Sequence, residues 1–471
     1  MQAPYLTTGI DRFWETEALP TLTEYIRIPA KSPLFDADWI ASGHIEAATT
    51  LLANWARCNA PPGMALEVIR LPGRTPLIYI EIPGAGKGSI LFYGHLDKQP
   101  EMSGWRNGLG PWQPVREGDK LYGRGGADDG YALFCALAAI LALHRTGQPY
   151  ANLKIVIEAS EESGSPDLPD YIDLLDERLD SPDLVVCLDS GCGNYDQLWC
   201  TTSLRGMTGG TLRVEVLNEG VHSGDAGGVV PGSFRIAREL LQRIEEARSG
   251  RLLDDAFHVD IPPVRLEQAE QAAAVLGDGV YRRFPLAGRT RPQETAIPEL
   301  ILDRTWRPAL EITGADGIPA IRDAGNVLRP FTALQLSLRL PPTCDATAAQ
   351  AALERLLLDR PPHDARISFE PMHAADGWEA PVQAPWLRVG LEEASNSVFG
   401  RPVMYMGEGG SIPFMTLLGR KFPAAQFLIT GVLGPQANAH GPNEFLHLPM
   451  VKKLTACVAW VTAAHYQEFK F

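Results

Sequence analysis

Two adjacent acids, Glu161 and Glu162 in "EASEESGS", follow the apolar β-branched run "KIVI". Neighbouring carboxylates at the end of a core-bound strand repel each other, which raises the question of what positive charge, if any, holds them there. Other strand-like runs end in residues of compatible chemistry. "LFYGHLDKQP" carries His95 and, two residues on, Asp97, which share one face of an extended chain. "YGRGGADDG" sets Asp128 and Asp129 before a helix-like run, and "VVCLDSG" carries Asp189. Imidazole and carboxylate donors suit zinc, with manganese or cobalt as alternatives. Two divalent ions about 3.5–4 Å apart need a bridging ligand, normally a carboxylate. One glutamate of the pair would then bind a metal while its neighbour handles protons.

Taken singly, each residue has an ordinary explanation. An Asp ahead of a helix commonly caps it, a His after a strand is usually a structural residue, and a surface Glu is simply solvated. Four strand ends carrying such residues together are what argue for a site. Competing motifs fail. A GxGxxG pattern from Gly123 would need glycine where Asp128 stands. There is no GxSxG elbow, HExxH or GxxxxGK[ST].

The elements that must position these residues are legible in the periodicity. Over the first 200 residues, apolar strands ("PLIYIEI", "SILFYGHLD", "KIVIEAS", "DLVVCLDSG") alternate with helices, Asp129–His144 and Leu168–Leu179 among them. This predicts an α/β domain with a mixed, mostly parallel sheet, whose carboxyl-end rim is where sites form. After Thr208 the texture changes. "TLRVEVL" and "TALQLSLRLPP" alternate as half-buried antiparallel strands, and Ile236, Leu240, Ile244 and Ala247 form one helical stripe. A loop-rich, proline-bearing region lies between them. "AAQAALERLLL" reads as a helix and "ARISFEP" as a strand. Helix and buried-strand signals return near Ala380, ending in a helix from Met450. The expected organisation is a discontinuous catalytic domain, residues 1–206 and 379–471, interrupted by an inserted α+β domain, 207–378, of ordinary size.

The chain of 471 residues is 45% hydrophobic and 21% charged, as soluble globular proteins are. Its net charge of −15, with no basic cluster, argues against nucleic acid or an anionic membrane as partner. The N-terminus lacks a signal-peptide pattern, and the apolar run Tyr131–Leu143 is too short to span a bilayer. Seven cysteines without CxxC suggest reduced thiols and a cytoplasmic protein.

With these residues assembled, the sequence resembles the two-metal amidohydrolase family of carnosinase, cytosolic non-specific dipeptidase, carboxypeptidase G and acetylornithine deacetylase. "YGHLD", "YGRGGADD", "EASEESGS", "VVCLDSG", "HSGDAGG", "SLRLPP", "GEGGSIP" and "ANAHGPNEF" carry the resemblance along nearly the whole chain. It implies that His95 and Asp189 bind one metal, Glu162 and His440 the other, and that Asp128 bridges. Asp97 would orient or tune His95, and Glu161 would be the general base toward a metal-bridging water, later protonating the leaving amine. It also implies that the inserted domain serves as dimerisation or lid domain. His222 would act across a homodimer, reaching the partner's site to help stabilise the oxyanion. Arg339, on the polar face of its strand with Gln335 and Ser337, would grip a substrate carboxylate. Asn326 and Ser411 would contact substrate. Two departures stand out: the family's "x-K-G" after the bridging Asp is here Gly130-Tyr131, and the arginine often found before "EGGS" is Gly407.

The resulting expectation is a cytoplasmic, homodimeric hydrolase with two divalent ions, zinc foremost, cutting the amide of dipeptides with a free C-terminal carboxylate. An N-acyl amino acid deacylase or a glutamate-releasing carboxypeptidase keeps the same chemistry with another substrate. A catalytically silent binding protein is the alternative from a different class.

Overall fold

Strands buried on both faces need apolar residues at every position, and Ser89–His95 is such a strand, buried along its whole length. The structure, a computed structural model, describes residues 3–470; the expected domain limits at residues 1 and 471 lie outside the described residues. The chain divides into two units. One comprises the residues up to Thr202, Ala380–Met406 and those from Leu417 onward; the other comprises Ser203–Glu379 and Gly407–Thr416.

In the first unit the sheet runs Ala65–Ile69, Leu77–Ile82, Asn152–Glu158, Ser89–His95, Leu184–Cys187, Gln426–Ile429, Trp199–Leu204. The central pairings are parallel and the flanking ones antiparallel. Leu77–Ile82 is reversed because the connection to Ser89 is only "PGAGKG", too short for the crossover a parallel neighbour requires. The parallel registers matter most for the site. His95 lies opposite Glu158 and Tyr93 opposite Cys187, so two of the strands end level and the third ends two residues earlier. The loops that follow them therefore emerge along one rim.

The helix Ala132–Arg145 is buried from Ala132 to Leu143, as a run without a polar face must be. It starts at Ala132 rather than at Asp129, because Asp128-Asp129-Gly130 form a turn instead of its first residues. It packs on the C-terminal helix Leu448–Phe469, which also packs on Pro385–Phe399. The expected helix Leu168–Leu179 is split into Leu168–Leu174 and Asp176–Leu179. No helix among the described residues is long and apolar enough to cross a membrane.

His465 of the C-terminal helix is wholly buried against Trp386 and Phe469, and its Nε2 lies 3.4 Å from Asp183. Neither ring nitrogen has a hydrogen bond. Burial pushes its pKa down to about 4 despite Asp183. The folded chain thus holds the ring neutral while the unfolded chain protonates it near pH 6.5. Its contribution is complete above about pH 6.5 and is lost as pH falls toward 4. The melting temperature of His465→Leu should accordingly fall less steeply than wild type across that window in a pH series of thermal melts. Equal slopes would remove His465 as the source.

The second unit holds an antiparallel sheet in the order Ala309–Asp316, Phe331–Leu340, Gly206–Glu215, Arg366–Pro371. Its inner face carries Leu212, Val214, Leu334, Leu336, Leu338 and Leu340, packed with residues of the helices Ser233–Leu241 and Ala346–Leu358. The opposite face is polar, with Thr211 bonded to Gln335 at 2.8 Å. The helix ends at Leu241: Ile244 still joins the core from the following turn, but Ala247 is exposed, so the expected stripe loses its last member. The region read as loop holds the helices Pro263–Leu276 and Ile297–Thr305 and the strand Ala309–Asp316. Pro263 and Pro298 sit in the first turns of these two helices, where the missing N–H costs nothing.

Candidate metal centre

Three strand ends of the main sheet bring His95, Glu161, Glu162 and Asp189 together, all in the first unit. Asp128 joins them from the turn before the helix Ala132–Arg145, because the strand preceding it, Lys120–Tyr122, belongs to a separate antiparallel sheet and not to the parallel one. His95 ends its strand with Nδ1 3.1 Å from the Asp97 carbonyl, to which it donates, and 3.4 Å from Asp97 Oδ1. Its Nε2, turned the other way, stands 3.4 Å from Asp128 Oδ1, 3.7 Å from Asp189 Oδ2 and 4.0 Å from Glu161 Oε2. The other Asp128 oxygen faces His440 Nε2 at 3.0 Å, and the same nitrogen is 3.4 Å from Glu162 Oε2. One carboxylate thus offers an oxygen to each histidine. Neither Asp128 nor Asp129 caps the helix behind them; Asp129 Oδ2 instead accepts the His95 amide at 3.3 Å.

Asp97 contacts more than His95. Its two oxygens accept the Glu161 and Glu162 amides at 3.1 and 3.0 Å, so one buried carboxylate fixes the turn that carries the doubled acid. Beneath it, buried Glu158 accepts hydrogen bonds from Tyr93 (2.7 Å), Ser165 (2.8 Å) and Ser160 (3.2 Å). Gln99 donates to Glu162. These supports have no local sequence signal; Glu158 reads simply as the last residue of a strand.

The electrostatics ask for cations. Burial and the nearby Asp189 push the Glu161 carboxyl up, and burial and Asp128 do the same for Glu162. Burial raises Asp189 to about 6. Burial opposes the His95 imidazolium, but contacts with Asp128 and Asp97 outweigh it and raise the ring's pKa. Without added positive charge, the cluster relieves its repulsion by holding protons. Among the described residues, the cationic side chains within 4.0 Å of the two glutamates are His95 and His440 alone.

The donors fit divalent ions. His95 Nε2 and Glu162 Oε1 are buried without a hydrogen bond, a cost that coordination would remove. Ligand atoms of His95, Glu161 and Asp189, and again of His95, Asp128 and Glu162, lie within 4.8 Å of one another. Glu161 therefore stands at ligand distance as well as Glu162.

The remaining expected residues belong to the second unit, in two places. His222, exposed, lies on Val221–His222, paired with Val327–Leu328, and the neighbouring Ser223 amide donates to the Asn326 carbonyl at 2.9 Å. Arg339 Nη1 donates to Ser411 Oγ at 3.2 Å. Arg205 supports that second pair, donating from its amide to Gly410 and from Nε to the Gly409 carbonyl.

Both departures have a steric account. A Cβ at position 130 would stand 2.2 Å from the Tyr25 ring, which excludes a lysine there. Tyr131, which follows, donates to the Leu188 carbonyl beside Asp189. A Cβ at position 407 would meet Ser203 Oγ at 2.4 Å and Thr305 at 2.9 Å.

A mixed sheet with two histidines and shared carboxylates at its rim defines a dinuclear metallohydrolase. Residues 91–465 match Peptidase family M20/M25/M40. The chain belongs to that family and is a dinuclear metallopeptidase. It is similar to a cysteinylglycine-S-conjugate dipeptidase of Corynebacterium striatum, 29% identical over 391 residues, covering 81% of this chain and 82% of that one. It is also similar to human Beta-Ala-His dipeptidase, 26% identical over 363 residues, covering 73% and 69%. The solved structure of the dipeptidase Dug1p from Saccharomyces cerevisiae shares the fold, with a TM-score of 0.79 and 20% identity over 98% of this chain and 99% of that one.

Proposed function

We propose that this protein hydrolyses the amide bond of dipeptides bearing a free C-terminal carboxylate. The carrying observation is the position of Asp128, one oxygen toward His95 and the other toward His440. The dipeptidases among its relatives support the substrate class. His95 and Asp189 would hold one divalent ion and Glu162 and His440 the other, with Asp128 between them; zinc is the first choice, manganese or cobalt the alternatives. Bound there, the ions supply Lewis-acid polarisation of the scissile carbonyl and lower the pKa of water.

The chain's own residues do the rest. Glu161 takes a proton from the attacking water and returns it to the leaving amine, as a carboxylate held beside the reacting atoms can. Asp97 keeps His95 in the tautomer whose Nε2 lone pair faces the acids. Arg339, with Ser411 beside it, binds the substrate carboxylate through its forked guanidinium. His222 and Asn326 contribute further substrate contacts, His222 across a homodimer. In this reading residues 207–378 form the lid and dimerisation domain, and the protein works in the cytoplasm.

The test is amine release from dipeptides, N-acetyl amino acids and an N-acyl glutamate, after chelation and stepwise return of zinc or manganese. Metal-dependent release from dipeptides is the expected result. Release only from the acylated compounds would replace the dipeptide reading with a deacylase or carboxypeptidase. Silence across the panel with two ions bound would overturn the proposed substrates.

A further inference from the structure

Arg124 and Glu444 are 1% and 0% exposed, and no step assigned above uses either. They form a buried ion pair, Nη1 to Oε2 at 2.6 Å, across 320 residues of chain. The rest of each side chain is spent on backbone. Glu444 Oε1 accepts the Gly125 amide at 2.9 Å and the Ala127 amide at 3.3 Å, the latter next to Asp128. Its own carbonyl accepts the Gly123 amide at 3.0 Å. Arg124 Nη2 donates to the Gly441 carbonyl at 2.8 Å, next to His440, and Nε donates to Pro100 at 3.2 Å. The pair therefore ties the loop ending at Asp128 to the loop carrying His440, the two residues whose side chains meet at 3.0 Å.

The two sides of the centre differ in how much they need such a tie. His95 ends a central, fully buried strand, and Asp189 follows closely on another. His440 lies on a loop in which Gln436, Asn438, His440 and Asn443 all take left-handed backbone angles, unusual for residues other than glycine. Its side chain is 57% exposed, so packing does little to fix it. A buried, charged, multiply bonded clamp one residue away can do so.

We propose that the Arg124–Glu444 pair is the positioning device for the His440 side of the metal centre, so that losing it weakens one ion and spares the other. This rests on the two-ion reading above. Arg124→Lys keeps the charge but cannot span the three acceptors that the guanidinium reaches. Glu444→Gln keeps the shape and removes the charge.

The experiment is calorimetric and spectroscopic titration of the metal-free full chain with cobalt(II), alongside thermal melts. Leu454→Ala, a buried residue of the C-terminal helix, serves as a control for general destabilisation. Wild type and Leu454→Ala should bind two ions. Both clamp variants should keep one at wild-type affinity and bind the second about 10–100-fold more weakly, the usual cost of losing a ligand's support. Two ions at unchanged affinity in both clamp variants would overturn the proposal and leave the two-ion reading standing. Equal weakening of both ions, matched by Leu454→Ala, would overturn it as well, because the pair would then act only through overall stability. Fewer than two ions in wild type would overturn the two-ion reading and this proposal together.

Discussion

Glu161→Gln is expected to bind two divalent ions as wild type does while kcat falls by about 10²- to 10⁴-fold, the range for loss of a positioned general base. The experiment decides between two roles that geometry alone leaves side by side. Glu161 Oε2 lies 4.0 Å from His95 Nε2 and, with Asp189, completes a possible ligand group. A ligand and a proton carrier in that place respond differently to the amide. Gln keeps the shape of the side chain and leaves the Asp97 bond to the backbone amide intact, but it cannot accept a proton at neutral pH. If Glu161 carries the proton, ion stoichiometry is unchanged and turnover collapses. Loss of an ion would assign it as ligand instead, and retained turnover would sink its role as base. In the metal-free protein the same change removes one of the carboxyls that burial and Asp189 disfavour. Titration of the metal-free variant should therefore release fewer protons on metal addition than wild type, an independent check on where the charge resides.

How far the site was legible depended on whether each residue announces itself locally. His95, Glu161, Glu162 and Asp189 stand after apolar runs whose parallel pairing brings their ends to one rim, as in the His95–Glu158 register, whereas Asp128 reaches the group from the turn before a buried helix. Residue type and strand end together sufficed to group them. His440 was different: its loop has no strand-end signal, and only the resemblance in "ANAHGPNEF" pointed to it. The supports were invisible for a stronger reason. Arg124 and Glu444 meet across 320 residues, and Tyr93 meets Glu158 across 65, so no spacing rule connects them. In the second unit the alternation of Leu334, Leu336, Leu338 and Leu340 identified the sheet's inner face correctly. The helix Pro263–Leu276 has no clear sequence signal, because Pro262-Pro263 resembles loop punctuation although Pro263 opens the helix. Gly130 and Gly407 looked like defects in a pattern. The Tyr25 ring and the Ser203–Thr305 contacts show them to be places where no side chain fits.

Asp128→Asn should lower activity by more than about 100-fold and weaken both ions, a broader defect than either clamp variant produces. Residues that merely support a ligand cost 10–100-fold in affinity or activity, and Asp128 is placed to be more than a support. Its oxygens divide between His95 at 3.4 Å and His440 at 3.0 Å, so each ion would lose part of the carboxylate charge facing it and one of them an oxygen donor. The amide offers a single carbonyl oxygen, and its NH2 must face one of the two sides. Wild type should gain melting temperature as metal is added, by an amount set by affinity and free-ion concentration, since binding to the folded chain alone stabilises it. A tenfold weaker ion loses about 1.4 kcal/mol of that gain once the concentration is well above Kd. The variant's metal-dependent rise should therefore shrink at every concentration, with cobalt titration showing both sites affected. Weakening confined to one ion would make Asp128 a terminal ligand of that ion. Unchanged affinity for both would leave the centre without its bridge, and the division of ligands between His95 and His440 would have to be drawn again.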